Sequence, residues 1–190
     1  MDLNDVIKGL HREVQWESQG VFTLDVSAGA RKLSTYQLQR PSSWILKLVQ
    51  AGVVSGSPHL LVSHSRESST FVFASLEELN PDLVMNGLYD IQAPSKTYEY
   101  LSQALRALVG VERPFEVRIQ NQQAIHRLVW DGVRTSRDQQ ARRGVNVSVV
   151  QVIAYYTGTE LDRKSTRASE VCELQHTPTP AALPFASTGT

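Results

Sequence analysis

Hydrophobic positions along this chain alternate between helical and strand spacing, and their order predicts the architecture. Leu3, Val6, Ile7, Leu10 and Val14 recur at helical spacing with Asp5, Lys8, Arg12 and Glu13 between them, which predicts an amphipathic N-terminal helix within residues 1–19. After Gly20, Phe22, Leu24 and Val26 alternate with Thr23 and Asp25, the period of two of a half-buried strand. A short helical run, GARKLSTYQL, follows.

Pro41 and the serines after it signal a helix start, because Ser42 or Ser43 can accept from the free amides of a first turn. In the next stretch, ILKLVQAGVVSGS, residues Ile45, Leu48, Val49 and Val53 make an apolar stripe. Trp44, Leu46, Ala51 and Val54 leave little polar surface elsewhere. A helix apolar on nearly all sides belongs between layers of a core. Gly56 is placed to close it in a left-handed conformation, and Pro58 prevents its resumption.

HLLVSHSRESSTFVFAS then predicts two strands joined by a polar turn, and LEELNPDLVMNGLYDI, interrupted by Pro81 and Gly87, a broken helix or loop. Tyr98, Leu101, Leu105 and Leu108 share one side of a helix from Ser95 to Gly110. Three strands follow, in FEVRIQ, AIHRLVWDG and NVSVVQVIAYY, the last rich in β-branched residues and expected at the centre of the sheet. Between the last two, VRTSRDQQARRG is polar and long for a hairpin, which predicts a mobile loop. A final helix is expected over Thr166–Gln175 with Ala168, Val171 and Cys172 inward, before the extended TPTPAALPFASTGT. Together these elements predict an α+β two-layer sandwich, helices on one face of a mostly antiparallel sheet. A single domain over 1–190 is expected, with the core at 20–185 and a polar tail at 186–190.

Composition narrows the function classes. At 190 residues and 41% hydrophobic content, one sizeable core is the expectation. Nineteen basic residues balance nineteen acidic ones, so no whole-molecule field favours nucleic acid or an anionic membrane. Cys172 is the only cysteine, which excludes an internal disulfide and a multi-cysteine zinc site within one chain. With no apolar run of roughly 18 residues, a cytoplasmic protein is expected.

The order of elements, and ILKLVQAGVVSGSPHLLVS in particular, resembles the first motif of the GHKL, or Bergerat-fold, ATPases, in which a helix ends in small residues and Gly before a strand. Within that family the pattern is most similar to the N-terminal domain of the ninety-kilodalton heat-shock chaperone. There a helix also precedes three strands, and a last helix leads into an apolar strand opening with proline, as in ASEVCELQHTPTPAALPF. The resemblance implies a nucleotide face on the first helix, with glutamate, asparagine and aspartate in the pattern E-x-x-x-N-x-x-D. Those positions hold Lys47, Ala51 and Val54. An ammonium cannot take a proton from water at neutral pH, and alanine and valine offer no oxygen to magnesium. The adenine-reading D-x-G-x-G is replaced by FVFASLEELNPD, and Gly87 alone stands where a glycine-rich phosphate segment is implied.

Other constellations are weaker. His59 and His64, five apart on one strand, point to opposite faces and do not suit a shared metal. No HExxH, CxxC or GxSxG occurs. Arg134, Arg137, Arg142 and Arg143 make the 134–143 segment basic, able to meet phosphate or an acidic partner, or to remain a solvated loop. Trp44 and Trp130 are expected in the core, and Trp16 more exposed. The resulting expectation is a Bergerat-like domain with degenerate ATP-site motifs and no catalytic residue, metal or cofactor, acting as a regulatory or protein-interaction module with a protein partner. The alternatives are an ATP-binding ATPase domain with non-standard ligands, which would take ATP and magnesium, and nucleic-acid binding through the arginine segment.

Overall fold

The computed structural model describes residues 41–90, 92–121, 124–141, 148–176 and 185–189. The elements expected before Pro41, together with Trp16, Arg142 and Arg143, lie outside the described residues. A 3-10 turn at Pro41–Ser43 leads into α1 (Trp44–Val54), then β1 (Leu60–His64), β2 (Ser68–Ser75), α2 (Pro81–Asn86) and α3 (Lys96–Gly110). β3 (Phe115–Gln120), β4 (Ala124–Trp130), β5 (Thr135–Ala141) and β6 (Ser148–Tyr155) follow, then α4 (Glu160–His176) and β7 (Phe185–Gly189).

The strands form one sheet in the order β5-β4-β3-β6-β2-β1-β7, with β6 in the middle as its β-branched composition predicts. Every pairing is antiparallel except β1 with β7, which is parallel. The register aligns Val62, Phe71, Val152, Val117 and Leu128 in one row across five strands. All five are buried. This row lies on the face covered by α1 and α3, whose Leu48, Leu101, Ala104 and Leu108 have no exposed surface. Burying a leucine so completely stabilises the fold by roughly 1.5–3 kcal/mol per side chain. The arrangement is an α+β sandwich, consistent with a Bergerat-like fold.

α1 ends as its sequence predicts. Gly56 adopts φ +74°, the left-handed conformation that favours glycine. α2 is the helical piece of the stretch expected as broken helix or loop: Asn80 caps it by accepting from the Asp82 amide at 2.8 Å, and Pro81 occupies its first turn.

Three expectations are corrected. The segment expected as a mobile arginine loop contains β5, an edge strand paired with β4 along its whole length. Its residues are exposed or nearly so, and a strand with no buried face carries no alternation to reveal it. The last helix begins at Glu160, not Thr166. Thr159 and Asp162 cap it reciprocally, the Thr159 amide donating to Asp162 Oδ2 at 2.8 Å and the Asp162 amide to Thr159 Oγ1 at 3.3 Å. Its inward side also differs from the expectation: Ala168 and Cys172 are exposed and Glu170 is buried. Residues 186–189 lie in β7. Among the described residues, no helix is long and apolar enough to cross a membrane.

Candidate functional site

The face of α1 implied by the family motif carries Lys47, Ala51 and Val54. Lys47 is half-buried, with Nζ 5.3 Å above the ring of Tyr100 on α3, so its ammonium packs against the neighbouring helix. Ala51 is fully buried in the core, and Val54 is 45% exposed at the helix end. The three positions therefore meet three different environments. None presents an oxygen to magnesium or a base to water.

The two segments implied to complete a nucleotide site are occupied by protein contacts. After β2, Ser75 Oγ donates to the Glu77 carbonyl at 2.8 Å, Ser95 Oγ donates to Glu77 Oε2 at 2.8 Å, and the Asn80 amide donates to Tyr98 Oη at 2.7 Å. These bonds tie the chain back to the start of α3. At Gly87 a Cβ would fall 2.0 Å from Ser102 Oγ, so this glycine permits close approach to α3. Its carbonyl, with that of Asp90, accepts from buried Arg106 at 2.9 Å. Burial pushes the Arg106 pKa below its ordinary value. The residues present do not fit a magnesium nucleotide bound in the family's manner.

A different cluster, absent from the sequence analysis, joins α4 to the sheet. Glu170 on α4 is 1% exposed and forms an ion pair with Arg113, which precedes β3. It also accepts from Ser69 Oγ at 2.5 Å and from Tyr156 Oη at 3.1 Å. Arg113 donates further to the carbonyls of Tyr155 and Ala154, both at 2.9 Å. Its guanidinium lies 5.2 Å from the ring of Trp44 and 4.7 Å from that of Tyr156. His64 Nδ1 stands 2.8 Å from Ser69 Oγ.

Burial holds the His64 pKa below 6.5, with Arg167 and Arg113 adding to the shift against the pull of Glu170. Burial raises Tyr156 to about 12, so it keeps its proton and donates. Serine, histidine and glutamate are thus together, but not in a nucleophilic relay. Such a relay needs the acid to orient the histidine and the serine to face a substrate. Here Glu170 bonds the serine itself, and Ser69 has no exposed surface. The cluster acts as a polar lock holding α4.

Two cavities adjoin this lock, and Tyr156 lines both. One of about 300 Å³ is lined by Trp44, Arg113, Thr166 and Glu170 among others, and one of about 630 Å³ lies between the β1–β2 turn and the first turns of α4. The other sequence candidates lie apart from them. Arg134 is exposed in the turn before β5. Arg137 stands opposite Leu128 at the sheet edge and pairs with Asp82 of α2. Two of the four arginines are therefore not gathered into one site. His59 is exposed before β1 and His64 belongs to the lock at its far end, so the structure does not bring the two together.

On the uncovered face of the sheet, Glu116 is 1% exposed between Arg118 and Arg127. Burial alone would raise its carboxyl, but the bonds from Arg127 and Arg118 outweigh it and hold the group below the ordinary carboxylate range. FEVRIQ gives no warning of this, because the second arginine arrives from the next strand.

No family model matches the chain, and no curated protein matches it in sequence. Solved structures do match. One, described as the N-terminal domain of a DNA repair protein, aligns with a TM-score of 0.53 and 12% identity over 84% of this chain and 52% of that one. The chain thus spans about half the length of that relative. Another, the ATP-binding domain of topoisomerase IV from Francisella tularensis in complex with a small-molecule inhibitor, aligns with a TM-score of 0.46 and 11% identity over 77% of this chain and 79% of that one. At 12% identity the likeness to the first is one of fold alone.

Proposed function

We propose that this chain is a Bergerat-like domain without ATPase chemistry, serving as a regulatory or protein-interaction module. The observation that carries the proposal is the state of the α1 face. Ala51 is sealed in the core and Lys47 packs on Tyr100, where the family's mechanism requires an oxygen ligand and a base. The contacts that occupy Gly87 and Glu77 support the same conclusion, since the two companion segments serve packing. DNA repair is the process we propose for it, carried from the description of the fold neighbour, with a protein as the partner.

Calorimetric titration with ATP and magnesium tests the proposal. Binding no tighter than about millimolar, near −4 kcal/mol, is expected. Micromolar, magnesium-dependent binding would instead favour an ATP-binding domain with non-standard ligands. Magnesium-dependent ATP turnover that disappears in Lys47→Ala would overturn the proposal outright.

A further inference from the structure

The larger cavity lies where the turn Ser65–Glu67 faces Tyr156 and the first two turns of α4. Four cations line it, Arg66, Arg163, Lys164 and Arg167, against two carboxylates, Glu67 and Glu160. Two positive charges are left over in a chain whose formal net charge is zero. Lys164 and Glu160 pair at 2.9 Å, so the excess rests on the arginines.

Arg163 and Arg167, four residues apart, share one side of α4. Arg163 uses Nε on the Gly158 carbonyl at 3.2 Å, and Arg167 reaches the Ser65 carbonyl from one terminal nitrogen at 3.5 Å. The rest of each guanidinium fork has no acceptor among the described residues. Planar forks with free paired donors suit a tetrahedral oxyanion better than a point charge does.

We propose that this groove binds a phosphate monoester. Such a group carries about −1.5 to −2 charges at neutral pH, matching the two uncompensated cations. A cavity of about 630 Å³ is roomier than a phosphate alone requires and has the size of a small-ligand pocket. Glu67, which also lines the groove, repels an extended polyanion, which favours a single terminal phosphate over a nucleic-acid backbone. The proposal is independent of the missing ATPase chemistry, because α1 does not line this groove.

The test is an NMR titration of the full chain with inorganic phosphate, against chloride at matched ionic strength. Saturable shifts of the amides of Ser65–Glu67 and of the start of α4 are expected, with Kd of about 1 mM. Arg163→Gln with Arg167→Gln should weaken binding at least about tenfold, while Arg134→Gln leaves it unchanged. Glu67→Gln, which removes the opposing charge at an exposed position, should tighten it and gives an independent readout if the double variant folds poorly. O-phosphoserine and adenosine monophosphate are each expected to compete with phosphate, and the tighter competitor identifies a phosphorylated side chain or a nucleotide as the source. No saturable shift up to about 10 mM phosphate, or equal shifts in the double variant, would overturn the proposal. So would a duplex oligonucleotide that binds more tightly than either monoester.

Discussion

Glu170→Gln removes one charge from the lock beneath α4 while keeping the side chain's length. In the native fold Glu170 and Arg113 are 1% and 5% exposed, so the substitution leaves a buried guanidinium without its counter-ion. Breaking such a pair from one side costs about 3–5 kcal/mol. Arg113 keeps the Tyr155 and Ala154 carbonyls and the faces of Trp44 and Tyr156, which places the cost toward the lower end, about 3 kcal/mol. With a urea slope of about 2 kcal/mol/M, the unfolding midpoint should fall by about 1.5 M at unchanged slope. Tryptophan fluorescence is a suitable probe, because Trp44 stacks on the affected guanidinium. Arg113→Met combined with Glu170→Gln should cost less than the two single changes added together, since no unpaired charge then remains. A loss under about 0.5 kcal/mol, or strict additivity, would show that the pair is solvated and that α4 is not held by it.

Two further outcomes follow from the core and from the lock. Leu48→Ala should cost about 2–5 kcal/mol by chemical denaturation, from lost transfer energy and a cavity at a site with no exposed surface; a loss under about 0.5 kcal/mol would move α1 to the surface. Because the folded pKa of His64 lies below 6.5, the unfolded chain takes up that proton first as pH falls. The histidine's contribution to stability is therefore complete above 6.5 and is lost as pH falls through the folded value. Melts between about pH 7.5 and 5 should show a drop that His64→Gln flattens, and equal slopes in both proteins would remove His64 as its cause.

The sequence by itself determined the elements whose burial is apolar and periodic. FEVRIQ is β3 residue for residue, the β-branched strand lies at the sheet centre, and α1 buries Ile45, Leu48 and Val49 of its stripe. Lys47, Ala51 and Val54 were legible as a face lacking metal and base chemistry, because residue type alone decides that. The helical period also placed them side by side. Their separate environments were not legible, since packing against Tyr100 and the core comes from other elements.

Only the tertiary structure decided the lock, the arginine groove and β5. Glu170 is buried because Arg113 arrives from 57 residues away and Ser69 from 101. The groove forms because a turn at Ser65–Glu67 meets a helix that begins almost a hundred residues later. β5 owes its strand geometry to the backbone ladder of β4, not to side chains of its own. Hydrophobic periodicity records a local preference that each segment carries with it. Charge pairing and edge pairing depend on partners distant in sequence, and so arise only once the chain has folded.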